Sequence, residues 1–333
     1  MAREKSRVLL NGAQRVIVLT HITPDGDAIG SLLGLGHTLR QQGKTVTLAV
    51  DEGVPPELRF LPGAGEVRSD LDGVQADLVF VLDCSDESRM GNAGKSVRAL
   101  RVPLINIDHH PTNTLFADVN LVETPAVATA ECLLDWFDYC HFEITPDAAQ
   151  CLLCGIVTDT LCFRTDNVTA MTLSKAQRLM ALGGNLSFIV QHTVSRVSSS
   201  TIKLWGQVLP NTRLEDHVIW TKVSLEARQV ANGAGGGDTK DGSLVSFLLH
   251  ADEAYISCVM TEKDGGKVEL SFRAVPGFDV STLAFNLGGG GHVLASGATV
   301  AGTLDEVEAR VIPLLKEAVR AGTPVVTRQE SDA

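Results

Sequence analysis

Val16-Ile17-Val18-Leu19-Thr20-His21-Ile22-Thr23-Pro24-Asp25-Gly26-Asp27-Ala28-Ile29-Gly30-Ser31 decides the fold. Its first five residues are apolar or β-branched without a polar break, which suits a strand buried on both faces. The chain then turns through Pro24 and Gly26 and takes up helical spacing over 28–41, closed by Gly43. A buried strand, a turn and a helix together form one unit of a parallel α/β sheet.

The same grammar extends outward. Residues 45–50, 77–82 and 103–107 read as further strands, and 125–138, 146–158 and 169–182 as helices. Over 191–212 the pattern changes to a Ser-rich connector running into a helix before Pro210. A second α/β alternation follows, with strands at 218–223, 254–261 and 267–275 and helices at 243–250, 279–287 and 304–320. The expected organisation is a parallel-sheet domain over 1–190, a connector over 191–212, a smaller α/β domain over 213–322 and a polar tail over 323–333. A glycine-rich segment at 233–242 reads as a flexible surface loop.

Composition narrows the function classes. The 333 residues are 44% apolar and 20% charged, ordinary for a globular protein with ample core. Forty acids against 28 bases give a net charge of −12, the wrong sign for gripping long duplex or an anionic membrane. Aromatics are too scarce for a stacking platform along a long single strand. No apolar run approaches the length of a membrane span, and the seven scattered cysteines read as reduced core thiols, so a cytoplasmic location is expected. Cys151 and Cys154 form a lone C-x-x-C inside a helical run, without the second pair a zinc site needs.

Polar residues stand where open α/β sheets present their functional groups, at the carboxyl ends of strands. The first strand ends in His21, followed by Asp25 and Asp27; the third ends in Asp83 and the fourth in Asp108-His109-His110. Asp159 closes the apolar run 152–158. Each has an ordinary use: Asp27 as a helix cap, Asp25-Gly26 as a turn, Asp83 as a loop cap, His109-His110 as a solvated turn. Gathered at one sheet edge, the acids would repel one another without a cation. Carboxylates with imidazoles and no thiolate suit Mn²⁺, Mg²⁺ or Fe²⁺, and a pair of such ions is a common apparatus for hydrolysing phosphate esters.

His21-x-x-Pro24-Asp25-Gly26-Asp27-Ala28-x-Gly30-Ser31, Asp83, Asp108-His109-His110 and Thr158-Asp159-Thr160 together resemble the four motifs of the DHH phosphoesterases. Ser271-x-Arg273 and Gly288-Gly289-Gly290-Gly291-His292 resemble the signature of the DHH-associated substrate-binding domain. The resemblance spans about residues 12–320 and, within the superfamily, is strongest to the short bacterial nanoRNase and pAp phosphatase group.

That resemblance implies a dimetal phosphodiesterase and phosphatase in which an activated water attacks phosphorus. It implies that His21, Asp25 and Asp83 hold one metal, and that Asp27, Asp83, His109 and Asp159 hold the other. Two Mn²⁺ per chain are expected, with Mg²⁺ or Fe²⁺ as substitutes. Asp108 would orient an imidazole, and His110 would face the phosphate as a donor or acid, or else be a structural histidine. In the second domain Arg273, Gly288, Gly289, Gly290, Gly291 and His292 would recognise substrate, the glycines by close backbone approach. Arg164, just after the fourth motif, is either a phosphate-side residue or a surface arginine. The implied substrates are short single-stranded RNA or small nucleotides such as pAp. Cyclic dinucleotides or pApA, polyphosphate, and nucleotide sensing without catalysis are the alternatives, and the family suggests a homodimer. Leu161 stands where relatives often carry glycine.

Overall fold

A computed structural model of the chain describes residues 1–195, 197–232 and 243–323. The chain divides into two compact units between residues 196 and 197. The loop expected at 233–242 and the tail beyond 323 lie outside the described residues.

The first unit runs α1 (Ala2–Gly12), β1 (Arg15–Thr20), α2 (Gly26–Gln41), β2 (Thr45–Ala49), β3 (Leu78–Leu82), α3 (Gly91–Leu100), β4 (Leu104–Asp108), β5 (Val119–Val122), α4 (Thr129–Cys140), α5 (Pro146–Asp159), α6 (Ala170–Ala181) and α7 (Leu186–His192). Its five strands are all parallel, in the order β2-β1-β3-β4-β5. β1 and β3 are therefore neighbours although β2 lies between them in the chain, and the sheet reverses its direction of growth there. Such a switch point opens a crevice at the carboxyl ends of the two strands.

Both faces of this sheet are covered. Val16, Val18, Phe80 and Ile105 pack into one layer with α2, α4 and α5, while Ile17, Leu19, Val79 and Val81 meet Ala93 and Val97 of α3 on the other. That is why these strands read as continuous apolar runs. Helix α2 presses closely on α5. A Cβ on Gly30 would come within 2.5 Å of the Cys151 carbonyl oxygen, so glycine is what permits the crossing.

The structure departs from the sequence reading in several places: helices α3 and α7 were not among the expected elements, and three further differences bear on the packing. Helix α1 was not anticipated; it docks through buried Leu10 and through Ser6, whose hydroxyl accepts the Trp136 indole N–H at 2.9 Å. The edge strand β5 is too short to stand out. The helix expected from 125 starts at Thr129, because residues 124–128 turn back, with the Ala126 N–H bonded to the Glu123 carbonyl at 2.9 Å.

The second unit runs α8 (Ser199–Val208), β6 (Arg213–Glu215), β7 (Val218–Val223), α9 (Leu225–Asn232), α10 (Leu244–Leu248), β8 (Ile256–Lys263), β9 (Lys267–Ala274), α11 (Ser281–Asn286), β10 (Gly290–His292), β11 (Ala295–Ala301) and α12 (Leu304–Ala321). Its sheet is mixed, in the order β10-β11-β9-β8-β7-β6, with only β7 and β8 parallel. Trp220, Cys258 and Phe272 face α12, whereas Ile219, Val223 and Val259 face α8 and α10. Among the described residues, no helix is long and apolar enough to cross a membrane.

Candidate metal centre

The switch point gathers eight residues singled out in the sequence. His21 follows β1, Asp83 follows β3, and Asp108, at the end of β4, leads into His109 and His110. Asp25 and Asp27 come from the start of α2, and Asp159 from the last turn of α5. The expectation of ligands at strand ends is corrected here: Asp27 and Asp159 are delivered by helices, through the close α2–α5 crossing. Possible ligand atoms of His21, Asp25 and Asp83 lie within 4.8 Å of one another, as do those of Asp27, His109 and Asp159, and those of Asp83, Asp108, His109 and His110.

Asp83 sits at the centre with its two oxygens facing different partners. Oδ2 lies 3.5 Å from His21 Nε2, and Oδ1 lies 3.6 Å from His109 Nε2. Its backbone is left-handed at φ 54°, an uncommon conformation for a non-glycine residue and one that functional sites often hold. The Ile107 carbonyl accepts its N–H at 3.0 Å, and the Thr129 hydroxyl donates to Oδ1 at 3.0 Å.

Both flanking imidazoles are oriented by backbone. His21 Nδ1–H donates to the Ile22 carbonyl at 2.7 Å, and His109 Nδ1–H to the Ala126 carbonyl at 3.3 Å. Each Nε2 thus faces the carboxylates, the side on which a metal ion would be held. His110 is turned the other way. Its Nδ1 lies 2.8 Å from Asp108 Oδ1, while Asn113 Nδ2 donates to Asp108 Oδ2 at 2.6 Å and to Asn106 Oδ1 at 2.8 Å.

Asp27 is fully buried and caps a helix that is not its own. Helix α4 begins after Ala128 without a side-chain cap, and its N–H groups at Thr129 and Ala130 donate to Asp27 at 2.6 and 3.0 Å. The Ser31 hydroxyl adds a third bond at 3.1 Å. The cap of α2 is Asp25, which accepts from the N–H groups of Asp27 and Ala28. The capping job suggested for Asp27 is therefore real but is performed across 100 residues of chain.

The electrostatics favour cations. Burial, then the charges of Asp83, Asp159 and Asp25, push the Asp27 carboxyl well above the usual carboxylate range. Burial and the charges of Asp83 and Asp25 push Asp159 up to about 8. Asp83 is also pushed up by burial, but its bond to His21 and the nearby His109 and His110 more than offset this and hold it low. His110 is raised, first by its bond to Asp108. A cluster that cannot ionise all its acids by itself, with oxygen and imidazole donors, fits a pair of divalent ions.

Other expected site residues lie elsewhere. Arg164 is exposed and donates Nε–H to the Leu161 carbonyl at 2.7 Å. Arg273, Gly288 to Gly291 and His292 belong to the second unit. Arg273 pairs with Ala295, which pairs with His292, so their side chains share one face across three strands. The expected glycine loop is partly strand: Gly290–His292 forms β10. Two of its glycines answer to packing. A Cβ on Gly289 would strike the Gly297 carbonyl oxygen, and one on Gly291 would come within 2.5 Å of Ser296 Cα. Gly290 has open space around it and no left-handed φ.

Asn113, Thr129, Ser31 and Arg89 were not read from the sequence as site residues. Ser31 lies inside the quoted motif, and Asn113 follows His110 by three residues, a spacing that could have flagged it. The amides of Thr129 and Ala130 carry no sequence signal, since every residue has one.

A parallel α/β domain with a carboxylate–imidazole site for divalent ions at its switch point, joined to a smaller mixed-sheet domain, defines a class of phosphoesterase. Residues 15–156 match the DHH family N-terminal domain and residues 240–321 match the DHHA1 domain, and the chain belongs to this family of phosphoesterase hydrolases. It is 33% identical over 311 residues to the bifunctional oligoribonuclease and PAP phosphatase NrnA of Thermus thermophilus, covering 92% of this chain and 91% of that one. The protein of the same description from Bacillus subtilis is 27% identical, over 86% of this chain and 89% of the relative. An exopolyphosphatase-related protein from Bacteroides fragilis has the same fold, with a TM-score of 0.86 at 25% identity over 96% of this chain and 97% of that one.

Proposed function

We propose that the protein hydrolyses short oligoribonucleotides and converts pAp to AMP, using two Mn²⁺ ions held at the switch point. His21, Asp25 and Asp83 would hold one ion, and Asp27, Asp83, His109 and Asp159 the other. The observation that carries this reading is Asp83, whose oxygens face His21 on one side and His109 on the other at 3.5 and 3.6 Å. The match to oligoribonuclease and PAP phosphatase relatives along nearly the whole chain supports the substrate class.

When bound, such ions supply Lewis acidity and a water of lowered pKa. The chain's own residues do the rest. His110, raised by Asp108 and tethered at Nδ1, keeps Nε2 as a proton donor for the leaving oxygen. Asp108 holds that ring in place, and Asn113 holds Asp108. In the second unit, Arg273 and His292 on one sheet face, beside the open Gly290, offer donors for a phosphate and room for it to approach.

The test is turnover of pAp, a ribodinucleotide, cyclic di-AMP and polyphosphate with Mn²⁺, against the metal-free protein and the Asp83→Asn variant. Hydrolysis of pAp and the dinucleotide, abolished by chelation and by Asp83→Asn, is expected. Full activity in chelator would overturn the mechanism, and turnover confined to cyclic di-AMP or polyphosphate would overturn the substrate class.

A further inference from the structure

Arg89 stands beside the candidate metal-binding cluster. It lies on the short 3-10 turn Glu87–Met90 after β3, and this turn is fastened to the end of β1 because the Arg89 carbonyl accepts the Ile22 N–H at 2.8 Å. The guanidinium Nη2 is half-buried, 3.1 Å from His21 Nδ1. That nitrogen already donates its proton to the Ile22 carbonyl at 2.7 Å. With His21 Nδ1 protonated, as it is when Nε2 serves a metal, two donors abut, and an arginine, having no acceptor and no neutral form in proteins, gains no hydrogen bond from this contact. Among the described residues no carboxylate lies within ion-pair distance of it, whereas Arg98 nearby is tied to Glu87 at 2.7 Å.

Charge explains what such a cation is for. The six proposed ligands contain four carboxylates, which two divalent ions only neutralise. A phosphate arriving there meets no net attraction from the cluster itself, and the attack on phosphorus adds negative charge to its oxygens. A fixed guanidinium beside the site can fork onto two of those oxygens. Arg164, suggested for this part by its sequence position, is exposed and bonded to its own segment.

We propose that Arg89 is the first unit's phosphate-binding residue, donating to the non-bridging oxygens of a phosphate bound at the metal cluster. The proposal rests on the dimetal reading above but not on the choice of nucleotide. Arg89→Gln and Arg89→Lys would be compared with wild type in three measurements: the calorimetric affinity for Mn²⁺, the affinity of the Mn²⁺-loaded protein for inorganic phosphate, and kcat/KM on pAp. Arg89→Gln should weaken phosphate binding and kcat/KM each by about 10–100-fold and leave Mn²⁺ affinity within about twofold. Arg89→Lys, keeping charge but losing the fork, should fall between. Unchanged phosphate affinity in Arg89→Gln would overturn the proposal. So would Mn²⁺ affinity falling in step with activity, since Arg89 would then act only through His21. If wild type hydrolyses no nucleotide, the substrate reading fails, and the phosphate titration still decides the role of Arg89.

Discussion

Replacing Gly155 with alanine tests whether the helix crossing sets the metal site. Gly155 lies inside α5, where alanine alone would favour the helix by about 1 kcal/mol. Its new Cβ would instead come within 2.5 Å of Asp27 Oδ1 and 2.8 Å of Ala130 Cβ, where ordinary contact starts at 3.4 Å. Helix α5 cannot back away freely, because Gly30 already lies against the Cys151 carbonyl on the same face. The strain falls on the Asp27 carboxylate, which is held by the Thr129 and Ala130 amides and the Ser31 hydroxyl. Overpacking costs about 1–3 kcal/mol, and weakening a bond to a charged group costs about 1.5–3 kcal/mol. After the helical gain of about 1 kcal/mol, a net loss of about 1.5–5 kcal/mol is expected, or about 2–4 °C in Tm per kcal/mol for a unit of this size. Displacing Asp27 should also weaken Mn²⁺ binding by about 10–100-fold. Thermal melts and calorimetric Mn²⁺ titration measure both effects. Gly206→Ala in α8 is the control: with no atom within 4 Å of its Cβ, it should stabilise slightly and leave metal binding alone. A Gly155→Ala protein with wild-type Tm and wild-type Mn²⁺ affinity would refute the argument.

Three further outcomes are expected. Asn113→Ala frees Asp108 and so His110, and should lower kcat about 10–100-fold with little change in Mn²⁺ affinity, read from kinetics beside calorimetry. Metal binding should be linked to protons: Asp159 titrates at about 8 without metal and Asp27 is raised as well, so both carry protons at lower pH that an ion must displace. Mn²⁺ affinity should therefore fall as pH drops below about 8, with proton release visible as a dependence of the apparent enthalpy on the buffer; a flat pH profile would contradict it. In the second unit, Gly289→Ala should lower stability because its Cβ meets the Gly297 carbonyl, whereas Gly290→Ala should leave Tm unchanged and raise KM. Equal behaviour of the two variants in both assays would remove the case for substrate contact at Gly290.

Much of this protein is legible in sequence, and the physical reason is local. Strands buried on both faces announce themselves as apolar, β-branched runs, unbroken in β3 and through most of β1, and still readable in β4 and β7 despite Asn106, Thr221 and Lys222. Polar residues directly after them marked the switch point before any strand order was known. Helix α1 and strand β5 escaped because one is mostly polar and the other only four residues long. Asp159 was legible as the residue closing the helix expected over 146–158, and only the fold brings that helix end to the edge of the sheet.

The sequence by itself determined the donor inventory: two histidines and four aspartates whose motifs, taken together, indicate phosphoester chemistry, in an acidic chain unsuited to long polymers. Only the tertiary structure decided how those donors are aimed. Asp27 is held by amides from α4, more than 100 residues away in the chain. His21 and His109 are turned by carbonyls, and Arg89 is brought to the cluster by a bond between two turns. Backbone amides and carbonyls are the same in every residue, so their aim exists only once the chain has folded. The −12 charge is thereby given a local meaning: acids concentrated where cations belong, with the Arg89 guanidinium beside them.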